Sequence, residues 1–172
     1  DMKIIDKIYG NEEINEQVLI DLINSKEIQR LKGISQFGLP QDYYHKPIFS
    51  RYEHSVGTMI LLKKVNAGIK EQTAGLLHDV SHTAFSHVID WVVGDPTKED
   101  YQDTIHLDFI KNSEIPKILE KYGFDYEEIS VIENFTLLER PAPSLCADRF
   151  DYSIREFNYF LTKDAIKKII ND

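Results

Sequence analysis

The sequence predicts an all-α fold with one small N-terminal β-hairpin, and three observations lead there. Apolar residues recur at three- and four-residue steps along most of the chain, the period of a helix with one buried face. Loose alternation is confined to the stretch around the turn dipeptide Gly10-Asn11. No internal repeat, low-complexity tract or Ser/Gly linker interrupts the pattern, so the 172 residues read as one domain, 1–172. A chain of that length buries about 70% of the surface it exposes when unfolded, enough for one substantial core.

The hairpin is expected over about residues 2–15 and a helical core over about 18–160. Val18, Leu19, Leu22, Ile23, Ile28 and Leu31 make the first helical stripe, with Gly33 as its stop. From Gln36 to Arg51 the composition turns to Gly, Pro, Tyr and Phe, a loop of about fifteen residues and long enough to suspect of function. Val56, Met59, Ile60 and Leu62 resume the helical pattern, which halts near Gly68. A further stripe runs Ala74, Leu76, Leu77, Phe85, Val88, Ile89, Val92, and Gly94-Asp95-Pro96 ends it. Later segments fall at about 101–111, 115–122, 127–133, 144–160 and 162–170.

Charge narrows the function classes. Twenty basic against 29 acidic side chains give −9 and a pI of about 5.1, so neither strong nucleic-acid binding nor an anionic membrane partner is expected. No apolar run approaches the ~18–20 residues of a membrane span. The single Cys146 excludes an intrachain disulfide framework and suits a reducing, cytoplasmic setting. Its simplest reading is a small buried hydrophobe.

Histidine carries the chemistry. Of the six, His54, His78, His82, His87 and His106 lie within one third of the chain, and His78 is followed directly by Asp79. Imidazole with carboxylate suits Zn, Mn, Fe or Ni, and carboxylate with water favours Mg or Mn. Neighbouring side chains in a helix point about 100° apart, so His78 and Asp79 can reach one ion only where the backbone leaves the helix. A lone His-Asp dipeptide says little. The combination is more specific: Arg51-Tyr52-Glu53-His54, then His78-Asp79-Val80-Ser81-His82 continuing to His87, then Cys146-Ala147-Asp148-Arg149-Phe150-Asp151-Tyr152.

Those three strings resemble the HD-domain phosphohydrolases, whose pattern is H…HD…D around one or two divalent metals. More narrowly they resemble the deoxynucleoside triphosphate triphosphohydrolase branch, with Ile28-Gln29-Arg30-Leu31-Lys32-Gly33 and Gln36-Phe37-Gly38 contributing to the likeness over roughly residues 2–160. The resemblance implies an HD-domain helical bundle. It assigns metal ligands to His54, His78, Asp79 and Asp148, with Asp151 as second choice for the last position. It assigns acid–base and phosphate-handling roles to His82, His87 and His106, with Asp90 orienting His87. Arg51 matches the arginine that grips a phosphate, and Gln36, Arg149 and Tyr152 match contacts to sugar or phosphates. Glu156 stands where the nucleotide-cleaving members usually have Asp. The bland alternative for each is a satisfied polar residue in or beside a core.

The implied activity is metal-dependent hydrolysis of a nucleotide, foremost a dNTP giving deoxynucleoside and triphosphate. The divalent metal is Mn, Mg, Fe, Ni or Zn, and homo-oligomers are common among such enzymes. Another phosphoester (a nucleoside monophosphate, a cyclic or an alarmone nucleotide) is the competing substrate class, and a non-catalytic nucleotide-binding HD module the competing function class. Two departures from the pattern stand out. The usual His-Asp-x-Gly-His string has Ser81 in place of Gly, which would be strained at positive φ. Twenty residues follow Tyr152, fewer than in the triphosphohydrolases, as in a compact relative or a chain cut short.

Overall fold

A computed structural model describes residues 1–84 and 101–171, with 101–104 and 171 described by backbone alone. The second half of the third apolar stripe, with His87 and Asp90, lies outside the described residues.

Strands β1 (Met2–Asp6) and β2 (Gly10–Ile14) pair antiparallel, Met2 opposite Ile14 and Asp6 opposite Gly10. The turn is therefore Lys7-Ile8-Tyr9, not Gly10-Asn11, and Asn11 sits in the ladder opposite Ile5. The Asp6 carboxylate accepts the backbone N–H groups of Ile8 at 2.8 Å and Tyr9 at 3.0 Å, which curls the chain early. Gly10 then closes the three-residue loop at φ +83°, where a Cβ would be strained.

The first helical stripe is delivered in three pieces: α1 (Gln17–Ile23), α2 (Lys26–Gln29) and a 3-10 turn, Arg30–Gly33. Ser25 makes the break. Its hydroxyl donates to the Leu22 carbonyl at 2.7 Å and accepts from the Ile28 N–H, closing one helix and capping the next. All six apolar residues of the stripe are nonetheless buried. The expected loop follows, its ends drawn together by a bridge between Ser35 and Ser50.

Helix α3 (Arg51–Lys64) starts five residues before its first apolar position, Val56. A capping box sets that start: Ser50 accepts the Glu53 N–H at 3.1 Å while the Glu53 carboxylate accepts the Ser50 N–H at 2.9 Å. Asn66 at φ +57° ends it, asparagine being among the non-glycine residues that best tolerate the left-handed region. Residues 54–60 of α3 are buried without interruption, so this helix runs through the middle of the protein rather than along its surface. Helix α4 (Ile69–Leu77) packs on it. Then come α5 (Tyr101–Lys111), α6 (Ile115–Lys121), α7 (Tyr126–Ser130), α8 (Ala147–Phe157) and α9 (Lys163–Asn171), close to the expected spans. Among the described residues no helix is long and apolar enough to cross a membrane.

Helix α8 also packs directly against α3, and Gly57 is what lets it approach. A Cβ built at Gly57 would overlap the Arg155 guanidinium and the Asp151 carboxylate. Gly57→Ala should therefore destabilise the fold by about 1–3 kcal/mol through overpacking, read from the midpoint of urea unfolding. An unchanged midpoint would show that α8 can back away without cost.

Candidate metal centre

Helix α4 stops at Leu77, and His78 is its C-cap at φ −54°, ψ −35°. Two tight turns follow, Val80 N–H to the Leu77 carbonyl at 2.9 Å and His82 N–H to the Asp79 carbonyl at 3.1 Å. The His-Asp pair thus sits at the departure from regular helix that its chemistry requires. Arg30 holds the turn from outside, donating to the carbonyls of Val80 at 2.6 Å and His82 at 2.9 Å. Among the described non-glycine residues only Asn66 has positive φ, so Ser81 occupies its turn without the strain expected of it.

Three side chains from three elements converge here: His54 of α3, His78 at the end of α4 and Asp148 of α8. His54 Nε2 lies 3.1 Å from His78 Nε2 and 2.9 Å from Asp148 Oδ1, and His78 Nε2 lies 3.3 Å from the same oxygen. Asp79 stands beside this triad, its Oδ2 3.6 Å from His54 Nε2 and its Oδ1 3.6 Å from His78 Nε2. Donors on a single ion at about 2.0–2.2 Å are themselves about 2.8–3.6 Å apart at tetrahedral or octahedral angles. The observed spacings fall on that range.

The protonation pattern fits a cation as well. His54 Nδ1 is 2.7 Å from Asp151 Oδ2, and His78 Nδ1 is 2.7 Å from the Gly75 carbonyl. Both acceptors hold the ring proton on Nδ1, so two Nε2 lone pairs and carboxylate oxygens face one another in a buried space. Such a cluster needs positive charge. Without a metal, protons serve: burial disfavours charge on His54, but the Asp148 and Asp151 carboxylates outweigh it and push its pKa up to about 9. His78 is raised likewise, with Asp79 and Asp148 overcoming burial. Against their own burial, Asp79 is held ionised by Arg51, His78 and His82, and Asp148 by His54 and His78. Hard and borderline divalent ions suit this mixed nitrogen and oxygen set.

Asp151 is not part of the triad. It is fully buried and accepts from His54 Nδ1, from the Tyr9 hydroxyl at 2.9 Å and from Arg155 Nε at 2.7 Å. Arg155 in turn reaches Asp6 at 2.8 Å, so the hairpin, α3 and α8 meet in one buried network behind His54. Asp6, Tyr9 and Arg155 were not anticipated from the sequence. The Asp151/Arg155 spacing of four on one helix face was the one available signal.

Other anticipated residues distribute unevenly. Arg51 is buried with NH1 2.6 Å from Asp79 Oδ2 and NH2 3.2 Å from the Gln36 carbonyl, so it steadies a carboxylate of the centre. His82 Nε2 lies 3.1 Å from Asp79 Oδ1. His106 lies beside Ser81, and burial together with the neighbouring His78 lowers its pKa to about 4. Gln36 Oε1 is buried without a hydrogen-bond partner among the described residues, and the Tyr152 ring lies 6.2 Å from that of His54. Glu156 is exposed one turn beyond Tyr152. Arg149 does not join them. It donates to Glu139 and to the carbonyls of Ser144 and Arg140, tying down the chain before α8. Its guanidinium, 3.3 Å from Cys146 Sγ, also supplies the cation for a nearby Glu139, Cys146 and Asp148 grouping.

A helical domain with a His/Asp centre at the crossing of α3, α4 and α8 defines a class of metal-binding proteins. The HD-domain profile matches residues 51–152, and the chain belongs to that family; a divalent metal goes with it, and His54, His78 and Asp148 form a donor group spaced to hold one ion. It is 53% identical over 156 residues to the uncharacterized protein YdhJ of Bacillus subtilis, covering 90% of this chain and 47% of that protein. It is 41% identical over 169 residues to the metal-dependent phosphohydrolase cns2 of Cordyceps militaris, covering 96% and 49%. More distant, at 26% over 200 residues (95% and 37%), is the deoxynucleoside triphosphate triphosphohydrolase SAMHD1 homolog of Dictyostelium discoideum. The crystal structure of a phosphohydrolase from Bacteroides thetaiotaomicron superimposes with a TM-score of 0.66 at 25% identity, covering 92% of this chain and 42% of that one. The chain thus spans about half the length of these first two relatives.

Asp151→Asn keeps a hydrogen-bond acceptor for His54 but removes the charge behind it. Metal affinity should fall about 10- to 100-fold, measured by competition titration with a chelating dye. Unchanged affinity would show that Asp151 serves the fold alone.

Proposed function

We propose that this chain carries the catalytic centre of a metal-dependent phosphohydrolase acting on nucleotides, with deoxynucleoside triphosphates the leading substrates. The observation that carries the reading is the convergence of His54, His78 and Asp148, with Asp79 alongside, at donor spacings suited to one ion. In this reading those four side chains hold the metal. A divalent ion there supplies Lewis-acid chemistry, polarising a phosphoryl oxygen and making water a stronger nucleophile. Arg51 fixes Asp79 in its ionised form and adds positive charge where the phosphates would lie. His82, against Asp79, is a donor to phosphate oxygens, and His87 with Asp90 is the pair proposed to protonate the leaving oxygen. Gln36, whose side-chain oxygen has no partner among the described residues, and Tyr152 are proposed to contact the sugar.

The names of the relatives support two levels of detail. Metal-dependent phosphohydrolase is the name of a relative at 41% identity, whereas triphosphohydrolase is that of relatives at 26–28%. The competing reading keeps the centre and changes the phosphoester.

A product-resolved assay on protein stripped of metal and reloaded with Mn²⁺, Mg²⁺, Fe²⁺ or Ni²⁺ separates them. Deoxynucleoside plus triphosphate from a dNTP is the expected outcome, while orthophosphate from monophosphates would move the reading to a nucleotidase. Asp79→Ala should lower turnover at least about 100-fold, the loss of a few kcal/mol of transition-state stabilisation. Nucleotide bound but never consumed by the metal-loaded protein would leave a binding module. Arg51→Ala should weaken metal binding as well as turnover, because its guanidinium rests on Asp79.

A further inference from the structure

The Ser81 side chain meets His106 on α5: its Oγ lies 3.0 Å from His106 Nδ1, and both residues are buried. The other ring nitrogen, His106 Nε2, is also buried yet has no hydrogen-bond partner among the described residues. A buried polar atom left open is uncommon and calls for a reason. The ring stands in the electrostatic field of His78, Asp79 and His82, beside the metal centre. A neutral imidazole carries one proton, and the partner of one nitrogen decides which nitrogen has it.

We propose that Ser81 is a positioning residue: its hydroxyl donates to His106 Nδ1, places the ring proton on Nε2, and presents that N–H as a donor to a substrate oxygen held at the metal centre. The proposal rests on the phosphohydrolase reading for its substrate, but not for the Ser81–His106 bond. Because the backbone at Ser81 is not left-handed, nothing in the turn itself requires glycine, and the position can carry a hydroxyl. The bond joins the turn that carries His78 and Asp79 to α5.

Two-bond ¹H–¹⁵N NMR of histidine-labelled, Mg²⁺-loaded protein reads the tautomer without any substrate. His106 should be protonated at Nε2 in the wild type, lose that preference in Ser81→Ala and regain it in Ser81→Thr. A proton on Nδ1 in the wild type, or an unchanged tautomer in Ser81→Ala, overturns the proposal. Ser81→Gly serves as the second variant if Ser81→Ala does not fold. In turnover, Ser81→Ala should lower kcat about three- to tenfold, the effect of one hydrogen bond, with metal content unchanged. The same substitution in a His106→Gln background should cost nothing further. Equal losses in both backgrounds would show that Ser81 acts elsewhere. A wild type that consumes no phosphoester would sink the phosphohydrolase reading and the substrate contact, while the NMR result still decides the bond.

Discussion

The buried carboxylate of Asp151 is the interaction on which the rest of the site depends. It has no solvent exposure and three donors: His54 from α3, Arg155 from its own helix and the Tyr9 hydroxyl from the hairpin turn. Burial alone would raise its pKa, but Arg155 and His54 hold it below the ordinary carboxylate range. A buried charge of this kind is tolerable only when every partner is in place, and losing one typically costs about 3–5 kcal/mol. The hairpin is thus no ornament. Through Asp6 and Tyr9 it completes the network that fixes the ring plane of His54.

Around that anchor the centre follows an electrostatic logic. Two imidazoles have their Nδ1 protons committed to Asp151 and to a backbone carbonyl, so both must offer lone pairs at Nε2. Two further carboxylates, Asp79 and Asp148, close the space. The protein has assembled negative charge and lone pairs in a place shielded from water, where an ion is worth most. The raised pKa of His54 is the same fact seen from the proton's side, since metal and proton compete for one site. Of the basic groups close by, Arg51 pairs with Asp79 and Arg155 bridges Asp151 and Asp6, so each serves particular carboxylates rather than the centre as a whole.

Much of this was legible in the residues. The helical period located nearly every described helix, and the His78-Asp79 pair demanded a helix end, which the chain supplies at Leu77. Where reading by pattern failed, local polar side chains had intervened. Asp6 moved the hairpin turn, Ser25 cut a continuous apolar stripe into separate helices, and the Ser50/Glu53 capping box started α3 before any apolar residue. Each competes with the backbone through hydrogen bonds that hydrophobic periodicity does not register.

The sequence by itself determined the helical class, the acidic charge balance, the family and the neighbourhood of the candidate ligands, because these follow from periodicity, charge and a short run of donors. Only the tertiary structure decided what each carboxylate does. Asp148 and Asp151 lie three residues apart on one helix, close to a single turn, so both face α3 and either could meet an imidazole. The choice is made by docking. Gly57 lets α8 come close enough to bury Asp151 behind the His54 ring, and Tyr9 and Arg155 lock it there, leaving Asp148 at the open Nε2 side. Arg149 was decided the same way: the chain before α8 offers it carbonyls and Glu139, and it turns away from the centre. Contacts between elements distant in sequence set these orientations, and no local pattern encodes them.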